Sequence, residues 1–465
     1  MIPPAKAVPT QHGVVKKAYM AGTLRYSLRG LYVLFFWLLW GDFAFTFFES
    51  IFGRFIPLYL KDYHASNSLI GIMTGSIAGF VNIFFLPNIS LWSDNYRSRF
   101  GRRIPFLYVF TPLTVASLVA VGFAPEIAAG FHRAILSHLA PAVSLSVVIL
   151  SLLCAFAISF HLFNMVLANV YGWLLRDVVP QELMARFLSW FRIIGTVSNG
   201  AFLWFVFPYV ITHRKEVCLG VGTFYLIIFL LMCYNIKEGE YPTPLLAKDR
   251  PGILKSFVIY FRECLSIPIY RNFIIASTLA FIGGTCASPF ALLFNREILG
   301  ICMDDLGKIF TYNAIASAVI LVPIGWFCDK FSSMRIVLAS LIGLSLGYIY
   351  ICFFVDDKMS YLIFSLIFSI PNTGLQLGSQ AMSMQLFPEE KFGQFSSALN
   401  IFEYGSLIFG NYLVGHFMDM AHSNYRMIFI WSATLTLLSF FAMLVVFRNW
   451  KQHGGPNHYN APLLP

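Results

Sequence analysis

Long apolar runs separated by short polar segments set the pattern of this chain from about residue 31 onward. Each run holds roughly 20 residues or more, which is the length that an α-helix needs to cross about 30 Å of hydrocarbon. The pattern predicts an all-α membrane protein with twelve transmembrane helices. Their predicted positions are 31–60, 69–92, 105–124, 143–172, 187–212, 217–236, 272–294, 309–328, 335–355, 359–387, 395–418 and 427–447.

A longer polar segment, 237–271, separates the first six predicted helices from the last six, and its Pro and charge content is typical of a connector. The two sets echo each other. PQELMARF at 180–187 has the spacing of PEEKFGQF at 388–395, and WSDNYRSR around Asp94 is mirrored by WFCDKFSSMR around Asp329. A duplicated six-helix unit is typical of secondary transporters. The predicted organisation is a tail at 1–30, a bundle at 31–236, the connector at 237–271, a bundle at 272–447 and a tail at 448–465.

Basic residues indicate which face of the membrane holds the two chain ends. An even number of helices places both termini on one side, and that side carries about 22 Lys and Arg residues against about eight on the other. Basic residues accumulate in cytoplasmic loops. The chain is therefore predicted to be integral to the cell membrane with both termini in the cytoplasm.

Composition agrees with a lipid environment and argues against other classes of protein. Hydrophobic residues make up 58% of the chain and charged residues 12%, about half the usual charged share of soluble proteins. The net charge of +10 follows from the basic loops and does not require nucleic acid. The eight cysteines form no CxxC pair, so neither a disulfide framework nor a metal site is expected. HExxH, GxSxG and phosphate-binding glycine loops are missing, so an enzyme is not expected.

The stretch WSDNYRSRFGRRIPFL at 92–107 concentrates charge between the second and third predicted helices. A tight cytoplasmic turn held on anionic headgroups explains its arginines, but neither Asp94 nor the order of the residues. That order resembles the loop signature of the major facilitator superfamily. More narrowly, it resembles the glycoside–pentoside–hexuronide:cation symporters and the sucrose–proton symporters. The matching residues are Ser93, Asp94, Arg97, Ser98, Arg99, Phe100, Gly101, Arg102, Arg103 and Pro105.

The resemblance implies two six-helix bundles related by pseudo-symmetry, and it gives the loop a gating role. Asp94 is expected to act as a latch against the start of the eleventh helix, near Phe395 and Ser396. Free backbone N–H groups and the helix dipole favour an anion there. The contact would exist only when the halves are closed on the cytoplasmic side. The predicted gating residues are Asp94, Arg97, Arg99, Gly101, Arg102, Arg103 and, in the second half, Asp329.

Charged residues at bilayer depth are candidates for function because hydrocarbon tolerates them poorly. Asp42 and Glu49 are seven residues apart on the first helix, so they share a face that is expected to line a cavity. Arg54 is close enough to neutralise Glu49, which leaves Glu49 either an ion-pair partner or a proton carrier. Asp42 has no local basic partner, which favours it for coupling or for binding substrate hydroxyls.

Other polar positions extend this candidate site across the helices. Arg192 and Asn199 share a face of the fifth helix, and Arg192 is suited to neutralise an acid or to bind a substrate oxygen. His161 and Asn164 lie one turn apart on the fourth helix, where the histidine is either a packed residue or a proton relay. Glu403 is the acid of the eleventh helix.

An amide stripe on the tenth helix is formed by Asn372, Gln376 and Gln380, at positions i, i+4 and i+8. Such stripes sometimes only join helices together. They also combine donors and acceptors without net charge, which recognition of a neutral polyol requires.

The second predicted helix has no acidic residue, whereas melibiose-type members of the resembled family bind sodium partly through aspartates there. This difference favours proton coupling through Asp42, Glu49 or Glu403, although sodium remains open. The sequence therefore predicts a monomeric, proton-coupled symporter for a sugar or glycoside, without a cofactor. The alternatives are another small solute (a muropeptide, drug or carboxylate) or a non-transporting receptor on the same fold.

Overall fold

In a computed structural model, the described residues form twelve long helical segments, which we call spans 1 to 12. The structure describes residues 19–136, 143–239, 264–388, 392–455, 459 and 461–462. In the N-terminal half, spans 1 and 3 to 6 are Leu28–Asp62, Ile104–Gly122, Leu145–Val178, Met184–Phe205 and Arg214–Asn235. Span 2 consists of the α-helices Asn67–Gly71 and Ile77–Asn95, joined by the π-helix Ile72–Ser76.

The C-terminal half repeats the six-helix arrangement. Span 7 consists of the α-helices Pro268–Phe281 and Ser288–Leu293, each followed by a π-helix, Ile282–Cys286 and Phe294–Ile298. Spans 8 to 12 are Met303–Phe331, Ser333–Phe354, Lys358–Leu386, Phe392–Met420 and Met427–Gln452.

Shorter elements occupy the connections. Strands β1 (Tyr19–Ala21) and β2 (Leu24–Tyr26) form an antiparallel hairpin before span 1. A short α-helix (Ala124–Phe131) and a π-helix (His132–Leu136) follow span 3. The 3₁₀-helices are Gln181–Leu183 and Phe207–Tyr209.

The all-α prediction is confirmed, and each predicted apolar run corresponds to one span. Span 5 ends at Phe205, earlier than the predicted 212, because the residue before Pro208 is disfavoured in an α-helix. Among the described residues, ten spans are long and apolar enough to cross a membrane by length and composition, and spans 5 and 11 are not among these ten. Most of the predicted connector, 240–263, lies outside the described residues. Span 12 continues to Gln452, into the predicted C-terminal tail.

Side-chain caps fix where several spans begin. Ser27, Ser66 and Ser144 each accept a hydrogen bond from a backbone N–H one turn into the helix that follows. Asp357 and Ser360 form a reciprocal capping box at the start of span 10. Such caps satisfy N–H groups that have no partner inside the helix.

Aromatic stacking holds the N-terminal half together and positions the polar face of span 1. The rings of Phe52 and Phe160 stack with centroids 3.8 Å apart, and those of Phe48 and Tyr225 with centroids 4.4 Å apart. These pairs join span 1 to spans 4 and 6. A smaller core in the C-terminal half surrounds Tyr270.

Small residues allow the two halves to approach each other closely. We call the end of the bundle where span 1 begins the termini end, and the opposite end the far end. A Cβ added to Gly71 of span 2 would collide with the backbone carbonyl of Asn411 in span 11, and one added to Gly307 of span 8 would collide with the carbonyl of Leu203 in span 5. Such close backbone approach needs small residues.

The close contacts between the halves lie toward one end of the bundle. The contacts just described lie toward the far end, where the ring of Phe207 also meets that of Phe310. Toward the termini end, spans 2, 5 and 8 carry exposed side chains, among them Trp92, Trp190 and Val322. The close contacts between the halves described here therefore close the far end.

Candidate functional site

A cavity of about 930 Å³ is enclosed mainly by the C-terminal half and reaches spans 1 and 5 of the N-terminal half. Its wall comes mostly from spans 7, 8, 9, 10 and 12 of the C-terminal half, and span 11 adds Glu403. The N-terminal half contributes Gly53 and Arg54 from span 1, and Asn199 and Leu203 from span 5. The cavity is large enough for a small organic solute, since ligand pockets typically measure about 300–1,000 Å³.

Buried polar atoms without a hydrogen-bond partner among the described residues line this cavity. Four buried atoms of the wall have no hydrogen-bond partner within the part of the chain that the structure describes: Ser277 Oγ, Asn295 Oδ1, Asn313 Oδ1 and Ser432 Oγ. The Nδ2 of Asn295 donates to the Tyr361 hydroxyl at 2.7 Å, which fixes the orientation of the amide. A buried polar group without a partner is costly, so these atoms indicate bound water or solute.

Two charged residues, Arg54 and Glu403, lie in the described part of the cavity wall. Arg54 donates through Nη1 to the Ser50 carbonyl at 3.1 Å. Neither Arg54 nor Glu403 forms an ion pair with another described residue. The cavity thus combines one cation and one anion, from opposite halves, with many neutral polar groups.

The structure brings five of the predicted site residues to this cavity: Arg54, Asn199, Asn372, Gln376 and Glu403. Gln380, the third amide of the predicted stripe, is exposed on span 10 but lies outside the lining. The amide stripe therefore enters the cavity with two of its three members.

Asp42 and Glu49 do not line the cavity. The side chain of Asp42 is buried among the helices of the N-terminal half, near Gly195, and its Oδ2 has no hydrogen-bond partner among the described residues. Glu49 accepts a hydrogen bond from Asn164 Nδ2 at 3.3 Å. Its ion pair with Arg54, one of the two interpretations of Glu49, is not formed in this structure.

His161 and Arg192 also lie outside the lining. His161 Nε2 is 2.8 Å from the carbonyl of Met73, within the π-helix of span 2, and its ring meets the edge of Phe52. This contact joins span 4 to span 2, as a packed histidine would. Arg192 is exposed on span 5.

The charged loop after span 2 forms an ion-pair network within the N-terminal half. Arg103 donates to Asp94 at 2.5 Å, and Arg102 donates to both carboxylate oxygens of Asp177 at the end of span 4. The carboxylate of Glu238, just after span 6, accepts the backbone N–H groups of Arg102, Arg103 and Ile104 at 2.7–2.9 Å. This network ties the ends of spans 2, 3, 4 and 6 together.

Sequence reasoning missed Asp177 and Glu238, although both are acids on the predicted cytoplasmic side, beside a surplus of basic residues. The predicted latch contact is not made in this structure. Asp94 instead pairs with Arg102 and Arg103, and Phe395 packs against Tyr270 with ring centroids 4.6 Å apart. The side chain of Asp329 lies outside the described part of the chain.

The two halves are joined at the far end by Asp419, an acid that was not among the predicted site residues. Asp419, in the last turn of span 11, accepts the backbone N–H groups of Asn67 and Ser68 at 2.8 and 2.9 Å. It also accepts Asn67 Nδ2 at 2.9 Å and the Ser68 hydroxyl at 2.5 Å. Arg296 and Asp62 form a further ion pair between the halves, at 2.7 Å. Asp419 thus receives the first N–H groups of span 2, as the latch was expected to receive those of span 11 at the other end.

The described residues contain no group of three or more His, Cys, Asp and Glu side chains that could hold a metal ion.

Comparison with known proteins identifies the fold. A family model described as Major Facilitator Superfamily matches residues 273–464, which cover most of the C-terminal half and the residues after span 12. No curated protein matches the sequence. A bacterial homologue of the human lysosomal transporter Spinster, inward-facing and unoccupied, is similar with a TM-score of 0.65 and 12% identity, over 90% of this chain and 97% of that one. The nucleoside transporter NupG is similar with a TM-score of 0.62 and 11% identity, over 89% of this chain and 99% of that one.

A bacterial homologue of the iron transporter ferroportin is similar in two conformations. In its inward-facing state the TM-score is 0.64 at 14% identity, over 90% of this chain and 99% of that one. In its outward-facing state the TM-score is 0.57, again at 14% identity, over 89% of this chain and 99% of that one. The chain therefore has the major facilitator fold, with twelve transmembrane helices in two six-helix halves.

Proposed function

We propose that this chain is a secondary active transporter that carries a sugar or glycoside together with protons by alternating access. The observation that carries the proposal is the cavity of about 930 Å³, which both halves line and whose wall holds neutral polar groups without hydrogen-bond partners among the described residues. The fold supports a carrier rather than an enzyme. The fold alone does not select a cargo, and the similar structures are described as transporters of different solutes.

Alternating access is supported by the shape of the space between the halves. Asp419 and the small residues of spans 2 and 11 close the far end, so access to the cavity in this state would be from the termini end. The ferroportin homologue fits this chain better in its inward-facing state than in its outward-facing state, at TM-scores of 0.64 and 0.57. Both observations agree with the excess of basic residues at the termini end and support a cytoplasmic opening.

An uncharged polyol suits the polar groups of the wall. A sugar hydroxyl both donates and accepts, so it can satisfy Asn295 Oδ1 and Asn313 Oδ1 as well as the hydroxyls of Ser277 and Ser432. Asn372 and Gln376 add amide groups of both kinds from span 10. A carboxylate cargo is less well supported, because Arg54 is the one basic residue in the described wall.

Glu403 is the acid best placed to couple proton movement to the solute, because its side chain lies in the cavity wall without a described ion-pair partner. A solute and a proton can meet there in the same space. Asp42 is a second candidate for proton uptake, because it is buried with an unpartnered carboxylate oxygen. Because Asp42 does not line the cavity, its protonation could affect solute binding only through the packing of span 1.

A zwitterionic solute is the second candidate cargo. Arg54 on span 1 and Glu403 on span 11 offer one positive and one negative charge from opposite halves. A solute that bears both charges would pair with each half, and its binding would then favour closure. Saccharides and zwitterionic amino acids are therefore the two sets of compounds to compare.

The cargo is tested by a thermal-shift screen of the purified chain against mono-, di- and trisaccharides and amino acids, at two pH values. A saccharide cargo should raise the melting temperature of the wild type. In Gln376→Ala, the saccharide concentration that gives half of the maximal shift should rise about tenfold, because one to two hydrogen bonds are lost. Gln380→Ala is the matched control, because it removes the same side chain one turn outside the cavity. Equal effects of the two variants, or stabilisation by amino acids alone, would contradict a sugar site here.

Coupling is tested by uptake into proteoliposomes with and without an imposed pH gradient. Glu403→Gln should abolish accumulation driven by the gradient while exchange of labelled for unlabelled solute continues. Asp42→Asn should have the same effect only if coupling runs through span 1. Full accumulation in both variants, or accumulation that depends on sodium and resists a proton uncoupler, would refute the proposed mechanism.

A further inference from the structure

A second cavity, of about 850 Å³, lies at the termini end between the loop after span 2 and the end of span 6. It shares no lining residue with the central cavity. Tyr108 lies four residues into span 3, about 6 Å from its start, and Tyr234 lies in the last turn of span 6. The cavity is therefore at the depth of the membrane interface.

The rim of this cavity is cationic. Arg99 and Lys237 are exposed, and neither forms an ion pair with a described residue. Arg97 is held at the rim by hydrogen bonds from Nη1 to the carbonyls of Asp94 and Tyr96, at 2.6 and 2.8 Å. These residues leave an excess of positive charge around the opening.

Glu238, the acid in the lining, does not form an ion pair with these basic residues. Both carboxylate oxygens of Glu238 accept backbone N–H groups at the start of span 3, at 2.7–2.9 Å. Its charge is thus directed toward the helix end, where the dipole stabilises it. Arg99 and Lys237 remain available to an external anion.

The inner wall is apolar and aromatic. Tyr108, Tyr234 and Ile236 line it, and Tyr234 is 79% exposed. Tyrosine at the end of a transmembrane helix is typical of the headgroup region, where its ring contacts lipid chains and its hydroxyl contacts water. A cationic rim above such a wall matches an amphiphile with an anionic head.

We propose that this cavity binds a phosphate group presented by the headgroup of an anionic phospholipid. The phosphate lies between Arg99 and Lys237, and the acyl chains run along Tyr108 and Tyr234. Charge-assisted hydrogen bonds from a guanidinium and an ammonium suit a phosphate, and basic pockets between transmembrane helices on the cytoplasmic side bind anionic headgroups. The site is independent of which solute the central cavity carries.

The test measures binding to the full chain, purified in a neutral detergent, with three probes: phosphatidylglycerol, phosphatidylcholine and inorganic phosphate. Arg99→Ala with Lys237→Ala removes the proposed phosphate contacts. Lys330→Ala with Arg335→Ala is the matched control, since both residues are exposed and basic at the termini end of the other half. Circular dichroism and the melting temperature without lipid verify that each variant folds.

Phosphatidylglycerol should bind more tightly than phosphatidylcholine, and its dissociation constant should rise about 30-fold in the Arg99/Lys237 variant, from about 1 kcal/mol for each basic residue. The control should bind as the wild type does, and Arg99→Lys with Lys237→Arg should retain binding. Unchanged affinity in the Arg99/Lys237 variant would overturn the proposal.

Inorganic phosphate distinguishes the two ligands that could supply the phosphate group, a phospholipid headgroup and free phosphate. Tyr234→Ala should weaken phosphatidylglycerol binding and leave phosphate binding unchanged if a lipid is the ligand. The lipid assignment would be overturned if phosphate binds as tightly as the lipid and Tyr234→Ala affects neither probe. Free phosphate would then be the ligand.

Discussion

Substitution of Asp419 by Asn should release the far end of the protein. The carboxylate of Asp419 accepts four hydrogen bonds from Asn67 and Ser68, two of them from backbone N–H groups at the start of span 2. These bonds join the two halves and can exist only while the far end is closed. Their loss should therefore shift the protein toward the state that is open at the far end.

The size of the shift follows from the geometry. An asparagine amide keeps one acceptor oxygen and turns an NH₂ group toward donors, so about two of the four bonds are lost together with the negative charge. Hydrogen bonds to charged groups contribute about 1.5–3 kcal/mol each when buried. Because Asp419 is only half-buried, we expect about 2–3 kcal/mol in total. This energy changes the equilibrium between closed and open states by about 30- to 150-fold.

Hydrogen–deuterium exchange of the purified protein measures this equilibrium. The peptide containing Asn67 and Ser68 should exchange faster in Asp419→Asn, by up to the factor just given. A peptide covering Leu203 to Phe207 should also exchange faster, because spans 5 and 8 separate in the same opening. Local loss of a cap would affect the first peptide alone. Unchanged exchange at Leu203–Phe207 would therefore refute the role of Asp419 in holding the halves together.

Asp62→Asn provides the matched control for this experiment. It breaks the ion pair with Arg296, which also joins the halves at the far end at 2.7 Å. Both side chains of this pair are about one-third exposed, and such pairs contribute about 0–1 kcal/mol. The control should increase exchange less than about fivefold.

Three further substitutions test other contacts. Glu238→Gln should lower the free energy of unfolding by about 2 kcal/mol, seen as a lower melting temperature, because a carboxylate that receives three backbone N–H groups is lost; an unchanged melting temperature would contradict this. Gly71→Ala should place a methyl group against the Asn411 carbonyl, which destabilises the closed far end by about 1–3 kcal/mol and opens it. Gly172→Ala should not have this effect, because no atom lies within 4 Å of the added methyl group. Asp94→Ala should increase thiol labelling of a cysteine introduced at the termini end, because the predicted latch is lost; equal labelling would leave the latch without support.

Local pattern determined the positions of the spans. The length of an apolar run and the thickness of a bilayer suffice to place a helix, so each predicted run matches one span. The repeat of six helices could likewise be recognised, because polar connectors interrupt the pattern. Gln376 was predicted from the spacing of an amide stripe and Glu403 as an acid within a predicted helix, and both line the cavity.

Tertiary structure alone decided which faces of the helices meet. In lipid, an apolar side chain on the outer surface and one between helices look the same in sequence, so the rotation of a helix is not encoded in its hydrophobic pattern. Asp42 and Glu49 share a face of span 1, yet neither lines the cavity, while Asn295 and Asn313 line it without any signal in the sequence.

The charged contacts were likewise decided by tertiary structure. Asp419 meets Asn67 across about 350 residues of sequence, and Asp177 meets Arg102 across about 75. Sequence established that charges cluster at the helix ends, since water and headgroups are found there. Which acid meets which donor depends on how the helix ends are placed beside each other, and only the packing of the whole bundle sets that placement.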